Sequence, residues 1–317
     1  MNLQTQIPLT KQKHNQINYQ SKLLLLGSCF SENIGNKLNY YKFQSKQNPF
    51  GILFHPKAIE NLITKAINEE KYTNKDIFFH NERWHSFEAH SSLSTLSNKE
   101  LLNNLNSLIQ QTSLHLKNST HLIVTLGTAW TYREIDSDMV VANCHKVPQK
   151  RFLKELLTID EVSESLEAIN SLVKSINKDI SIIYTVSPVR HLKDGFTENQ
   201  RSKAHLLSAI HQVVEPRNAI YYFPSYEIVM DELRDYRFYN EDMIHPNKTA
   251  VNYIWEKFKQ VWITEDSYQT MQQVKIIQRG LNHKPFNPES EAHQLFLKKL
   301  QQKKETLLQA FPFINFQ

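Results

Sequence analysis

Four short apolar runs recur along this chain, each followed by a stretch of helical periodicity, and no other feature narrows the possible folds as far. Leu23–Leu26 ends at Gly27, His121–Leu126 ends at Gly127, and Ile180–Val186 and Ala219–Phe223 complete the set. A strand with one wet face alternates apolar and polar residues, whereas an unbroken apolar run suits a parallel strand covered on both faces. The intervening segments carry stripes at helical spacing: Phe30, Ile34 and Leu38; Val162, Leu166, Ile169, Val173 and Ile176; Ala204, Leu207, Ile210 and Val214; Val251, Ile254, Phe258 and Val261. Thr158 and Glu161 form a capping box that opens the second of these helices. Strands alternating with amphipathic helices predict an α/β protein, a parallel sheet with helices on both faces.

Two stretches interrupt the alternation. Residues 40–118 are Asn- and Ser-rich with aromatic patches, and 128–150 separate a strand from its helix, so both read as insertions at strand ends, where α/β proteins build sites. Beyond residue 264 the chain turns Gln- and Lys-rich. The expected organisation is an α/β domain over 1–264 and a helical extension over 265–317, whose Leu295, Leu297, Leu300 and Leu307 either pack back or serve self-association.

A chain of 317 residues buries a sizeable core without staples. Its 37 Lys and Arg against 32 Asp and Glu give +5, spread too evenly to ask for nucleic acid. No apolar stretch approaches the roughly 18 residues of a membrane span, and the polar start lacks a signal-like run. Two cysteines, Cys29 and Cys144, make no disulfide framework. A soluble cytoplasmic protein is expected, with no membrane or nucleic-acid partner.

Glycine is scarce: six residues where about 22 are usual for this length. Gly27 and Gly127 close two of the apolar runs, while Gly280 reads as a loop residue. Ser28 follows Gly27 directly, between strand and helix. There it is either a plain N-cap or a nucleophile whose backbone N–H lies at a positive helix end. Asp242 and His245, three apart before Pro246, are either an ordinary helix-start loop or a carboxylate holding one imidazole nitrogen while the other faces a serine. Asn247 can cap the next helix.

Arg190, His191 and Lys193 follow a strand end, as a solvated loop or as contacts for an anionic or hydroxyl-rich ligand. Tyr132 and Arg133 follow another. The charges from Asp231 to Arg237 read as an ion-pair network fixing the His245 loop. Cys29 sits where a helix N-terminus would lower a thiol pKa, and Cys144, His145 and His245 complete a conceivable zinc set. Metal-ligand spacing is absent, so buried inert thiol is the default, with no metal and no cofactor.

An early serine on a strand-helix turn and a late Asp-x-x-His before the last helix resemble the SGNH, or GDSL-like, hydrolases. Gly27-Ser28-Cys29-Phe30 resembles the signature that names the GSCFA family, whose fifth letter, Ala, is Ser31 here. Asn48-Pro49-Phe50-Gly51, Thr125-Leu126-Gly127-Thr128, Asn143-Cys144-His145-Lys146, Val186-Ser187-Pro188-Val189-Arg190-His191 and the run from Tyr222 to His245 extend the resemblance over nearly the whole chain. It implies a three-layer, flavodoxin-like SGNH fold with Ser28 as nucleophile, His245 as general base and Asp242 orienting it. SGNH enzymes hold the oxyanion by the serine N–H, a glycine N–H from a second block and an asparagine side chain from a third. Gly51 resembles the second block. The third reads Gly127-Thr128-Ala129-Trp130, without Asn, which leaves Thr128, Asn48 or Asn143 as substitutes. The implied activity is hydrolysis or transfer of the acyl group of a small-molecule or carbohydrate ester. A non-catalytic ligand- or protein-binding module on the same scaffold is the alternative.

Overall fold

The computed structural model describes residues 5–316. Strand β1 (Lys22–Gly27) passes through Ser28 alone into helix α1 (Cys29–Tyr40). There follow β2 (Gln44–Gln47), α2 (Pro56–Asn68), α3 (Asn98–Asn118), β3 (His121–Leu126), α4 (Ile159–Ile176), β4 (Ser181–Val186), α5 (Phe196–Val213), β5 (Ile220–Tyr222), α6 (Lys248–Trp262), α7 (Asp266–Leu281) and α8 (Glu291–Ala310). The five strands form one parallel sheet in the order β5-β4-β3-β1-β2. The chain leaves β1 toward β2 and then crosses to β3 on the other side. That reversal opens a crevice beyond the C-terminal ends of β1 and β3, where open α/β sheets bind ligands. Gly27 lies opposite Thr125 in the register.

Both faces are covered, as the unbroken apolar runs require. Leu24, Leu26, Leu122, Val124, Ile182 and Tyr184 join α2–α5 in one core, while Leu23, Leu25, Ile123 and Ile183 join α1 and α6–α8 in the other. The capping box closes as read, with Glu161 N–H donating to Thr158 Oγ1 at 3.2 Å and Thr158 N–H to Glu161 Oε2 at 2.8 Å. Val162, Leu166, Ile169 and Val173 are buried.

Residues 40–118 are more than an insertion, because they supply β2, α2 and α3. The Asn, Ser and Gln on the wet side of α3 hide a buried stripe of Leu101, Leu105, Ile109 and Leu116. Residues 128–150 contribute two strands, Trp130–Glu134 and Met139–Val141, and the first pairs with both the second and Phe152–Leu156 in a separate antiparallel sheet. Arg133 is spent there, its Nε 3.1 Å from Glu155.

The stripe of α5 is displaced from the one read in sequence. Lys203, Leu206, Ala209, Ile210 and Val213 face inward, which puts a lysine at a core position. Gly280 is helical rather than in a loop, and a Cβ there would meet Leu300 Cδ1 at 2.6 Å. Met271, Val274, Ile277, Leu300 and Leu307 thereby share a core with Trp255, Phe258 and Trp262, while Leu295 and Leu297 are exposed. Among the described residues no helix is long and apolar enough to cross a membrane.

After β5 a helical turn, Ser225–Glu227, widens into a π-helix over Ile228–Glu232. The wide turn delivers Glu232 to a site with no side-chain exposure. Its carboxylate accepts from Ile7 N–H at 2.6 Å, Lys257 Nζ at 3.1 Å and the Tyr253 hydroxyl. Removing one partner of a buried ion pair strands the other. Glu232→Ala should therefore lower the urea-unfolding free energy by about 3 kcal/mol, and an unchanged midpoint would show that the contact is idle.

Candidate active site

Gly27 ends β1 at φ +135°, where a Cβ would lie 2.1 Å from Thr125 O. No other residue type fits that approach. Its N–H donates to Asn48 Oδ1 at 2.9 Å, its carbonyl accepts Leu53 N–H at 3.0 Å, and Ser28 N–H donates to Thr125 O at 3.0 Å. Ser28 is buried at 1% exposure and is the N-cap of α1, its Oγ accepting Phe30 N–H at 3.4 Å. Ser28 is thus a helix cap whose hydroxyl sits at the positive end of α1.

The Asp242 carboxylate makes three hydrogen bonds in its loop, two of them to His245. Asp242 Oδ1 accepts the backbone N–H groups of Ile244 and His245, each at 2.9 Å, and Oδ2 accepts from His245 Nδ1 at 2.6 Å. The His245 backbone N–H, then that of Ile244 and the His245 side chain, hold the Asp242 carboxyl down at about 2. It is ionised at neutral pH and can only accept, which assigns the proton to Nδ1 and leaves Nε2 as the basic nitrogen.

The loop is held differently from the sequence reading. Among the described residues the Asp231–Arg237 stretch forms one internal ion pair, Asp235 with Arg237 at 2.8 Å. The clamp is instead Asn247, whose Nδ2 donates to Arg237 O at 2.7 Å and Tyr239 O at 3.2 Å while its Oδ1 caps α6. Asn240 N–H donates to His245 O at 2.8 Å. An amide serves better than charges here because the groups to be joined are backbone carbonyls.

Asp242 and His245 are about half-exposed, with side chains at 45% and 47%. Among the described residues no hydrogen bond joins Ser28 to His245, so the near-3 Å contact that the triad reading expects is not made. The serine belongs to the crevice floor and the histidine to a solvent-facing loop. Catalytic contacts in unliganded sites are often looser than in the complex.

The structure sorts the oxyanion donors named from sequence. Gly51 N–H donates to Asn48 O at 2.8 Å within a tight turn and Gly127 N–H to Phe54 O at 2.7 Å across to the loop after β2, so both are consumed. Thr128 Oγ1 is 3.0 Å from Ser202 Oγ and accepts Trp130 N–H at 3.0 Å. Asn143 uses its Oδ1 on His145 N–H at 2.8 Å within the antiparallel insertion. Asn48 differs. With Oδ1 fixed on Gly27 N–H, its buried Nδ2 has no partner among the described residues. An oriented, unpaired amide donor one bond from the Gly27 backbone is costly to bury.

Lys203 escaped the sequence reading. Its Nζ, with the residue 1% exposed, donates to Gly127 O at 2.6 Å and Ser187 O at 2.7 Å, tying the loops after β3 and β4. Burial pushes its pKa down to about 7, with the Cys29 thiol opposing and the Arg190 charge assisting. A lysine on the true α5 stripe was the available signal. Beside it, burial pushes the His191 imidazole down to about 4, assisted by Lys203, so it is neutral. A Cβ on Gly127 would come 3.2 Å from His191 Nε2. At Cys29 burial, then Glu32, raises the thiol pKa and outweighs the helix N-terminus, as the default reading of a buried thiol has it. Burial pushes the Cys144 thiol up to about 11.

A model of the GSCFA family matches residues 22–258, and one described as the GSCFA domain protein, C-terminal domain, matches residues 274–317. No curated protein matches the chain. Among solved structures it is similar to a carbohydrate esterase family 3 from Talaromyces cellulolyticus, at 9% identity and a TM-score of 0.36, over 81% of this chain and 99% of that one.

The buried lysine has a stability signature. Lys203 binds its proton less tightly folded, at about 7, than unfolded, so between those two values the unfolded chain holds the extra proton and stability rises with pH. Below about 7 both states are protonated and the burial penalty is complete. The Tm difference between wild type and Lys203→Met should therefore shift in favour of wild type from pH 7 to about pH 10. A difference independent of pH would place an ordinary lysine titration there.

Proposed function

The chain belongs to the GSCFA family, and we propose that it performs acyl-ester chemistry, as a hydrolase or O-acyltransferase working through an acyl-enzyme on Ser28. The observation that carries this reading is the Asp242–His245 couple, in which one carboxylate binds the His245 backbone and ring and leaves Nε2 basic. A structural loop has no need of that polarity.

On ester binding the exposed loop closes and Nε2 takes the Ser28 proton as Oγ attacks the carbonyl carbon. The tetrahedral oxyanion is met by Asn48 Nδ2 and the positive end of α1. Collapse breaks the ester C–O bond, and the alcohol leaves with the proton held by His245. Water or an acceptor hydroxyl then gives its proton to His245 and attacks the acyl-enzyme, which frees Ser28. Water makes the protein an esterase and an alcohol makes it a transferase. A carbohydrate O-acetyl ester is the substrate class suggested by the SGNH resemblance. Both cysteines are free, which fits work in a reducing compartment such as the cytoplasm.

The second reading is a non-catalytic binding module. It draws on the absence of a Ser28–His245 hydrogen bond among the described residues and on the commitment of Gly51 and Thr128 to other partners.

Labelling with a fluorophosphonate separates the two. Wild type should be labelled, Ser28→Ala not at all, and His245→Ala about a hundredfold or more slowly. An unlabelled wild type, with p-nitrophenyl acetate turnover unaltered by Ser28→Ala, leaves the binding module. Asn48→Asp keeps an acceptor for Gly27 N–H but removes the donor. It should lower kcat about 10²–10³-fold and also lower Tm, because the new carboxylate is buried, and a wild-type kcat would dismiss Asn48 from the oxyanion site.

A further inference from the structure

A cavity of about 480 Å³ opens beside the His245 loop, lined among others by Arg190, Tyr226, Asp231, Arg234, Tyr236 and Tyr239. That volume is within the usual range of ligand sites. Arg190 enters it from the end of β4, the π-helical stretch makes one wall, and the Tyr236–Tyr239 turn makes another. Tyr239 pairs with Pro246 in an isolated bridge, and Asn240 N–H bonds to His245 O. The wall of the cavity is therefore the same loop that carries the general base.

Its chemistry is unbalanced. Arg190 uses Nη1 on the Tyr239 hydroxyl at 3.2 Å and Nη2 on Met230 Sδ at 3.5 Å, with its guanidinium 5.5 Å from the Tyr239 ring centroid. A thioether is a weak acceptor, so most of the five N–H donors are unspent. Among the described residues neither Arg190 nor Arg234 has a carboxylate within ion-pair distance, whereas Asp235 is neutralised by Arg237 at 2.8 Å. Asp231 is exposed, so two arginines face one unmatched carboxylate. Lys203 lies behind Arg190 and its proton affinity feels that charge. Tyr226 donates to Gln200 at 2.9 Å, and Tyr236 stands exposed 5.8 Å from Tyr239. Aromatic faces with polar tips beside a half-buried, planar donor fork suit a ring that bears an anionic group.

We propose that this cavity is a recognition subsite for a carboxylate or phosphate on the non-acyl part of the ester substrate, with Arg190 as its anchor and Arg234 at its rim. The proposal rests on the Ser28–His245 reading for the position of the reacting ester. It names the class of alcohol or leaving group: an anionic sugar derivative rather than a neutral one.

Equilibrium binding to the full chain carrying Ser28→Ala tests it without turnover. Calorimetry would compare methyl glucuronide, glucose 6-phosphate and methyl glucoside. At least one anion should bind about tenfold or more tightly than methyl glucoside, and which one does separates carboxylate from phosphate. Arg190→Met should reduce that preference to about threefold or less, with Arg190→Lys restoring it in part because charge returns without the planar fork. Arg234→Met, at an exposed position, gives the same reading in weaker form if Arg190→Met fails to fold. Equal affinity for methyl glucoside, no binding of either anion, or a preference surviving both methionine variants would overturn the subsite. Wild type that resists fluorophosphonate while Ser28→Ala still binds the anion would instead remove the catalytic reading and leave the anion site.

Discussion

At the end of β1 the backbone passes so close to Thr125 that a Cβ would sit 2.1 Å from its carbonyl oxygen. Glycine at position 27 removes that clash, and the polar groups around it then find partners in the loop after β2 and in strand β3. Gly27 N–H fixes the Asn48 amide, Gly27 O holds Leu53, and Ser28 N–H joins Thr125. With a side chain there, β1 and β3 would part. Asn48 would lose its anchor, and Ser28 would no longer stand at the head of α1 in the crevice.

The other half of the site obeys a different rule. His245 sits on an exposed loop whose shape comes from side-chain amides and carboxylates bonded to backbone, Asn247 at one end and Asp242 at the other. Such loops open at lower free-energy cost than sheet ends do. For the proposed acyl chemistry, a buried serine and a histidine on an exposed loop suit a reaction that assembles its contacts around the substrate. Between them lies a floor of unusual electrostatics, where buried Lys203 donates to two loop carbonyls and His191 is kept neutral.

Much of the layer structure was legible in the residues. Unbroken apolar runs marked β1, β3, β4 and β5 because both faces are covered, and the Thr158–Glu161 box located the start of α4 to the residue. Polar surfaces concealed the rest. α3 hides its stripe among Asn, Ser and Gln, and β2 is a half-exposed edge strand, Gln44–Gln47, without an apolar run. On α5 a one-residue displacement of the stripe hid Lys203. The Asp242–His245 hydrogen bonds are local, three residues apart, and followed from spacing. The fates of Gly127 and Thr128 as donors are not local, since their partners, Phe54 and Ser202, lie far away along the chain.

By itself the sequence determined that strands and helices alternate around a parallel sheet, that a serine begins the first helix, and that an aspartate reaches a histidine in a late loop. Each depends on neighbours within one or two turns of chain, where periodicity and capping chemistry suffice. Tertiary structure alone decided that Asn48 keeps a donor beside Gly27 that is unpaired among the described residues, and that a lysine lies buried between two strand ends. It also decided that, among the described residues, Ser28 Oγ bonds to Phe30 N–H and His245 to Asp242, with no hydrogen bond between the two. These follow from which loops the sheet order brings to the crevice. That order is a property of long-range packing, in which a hydrogen-bond partner can lie a hundred residues away.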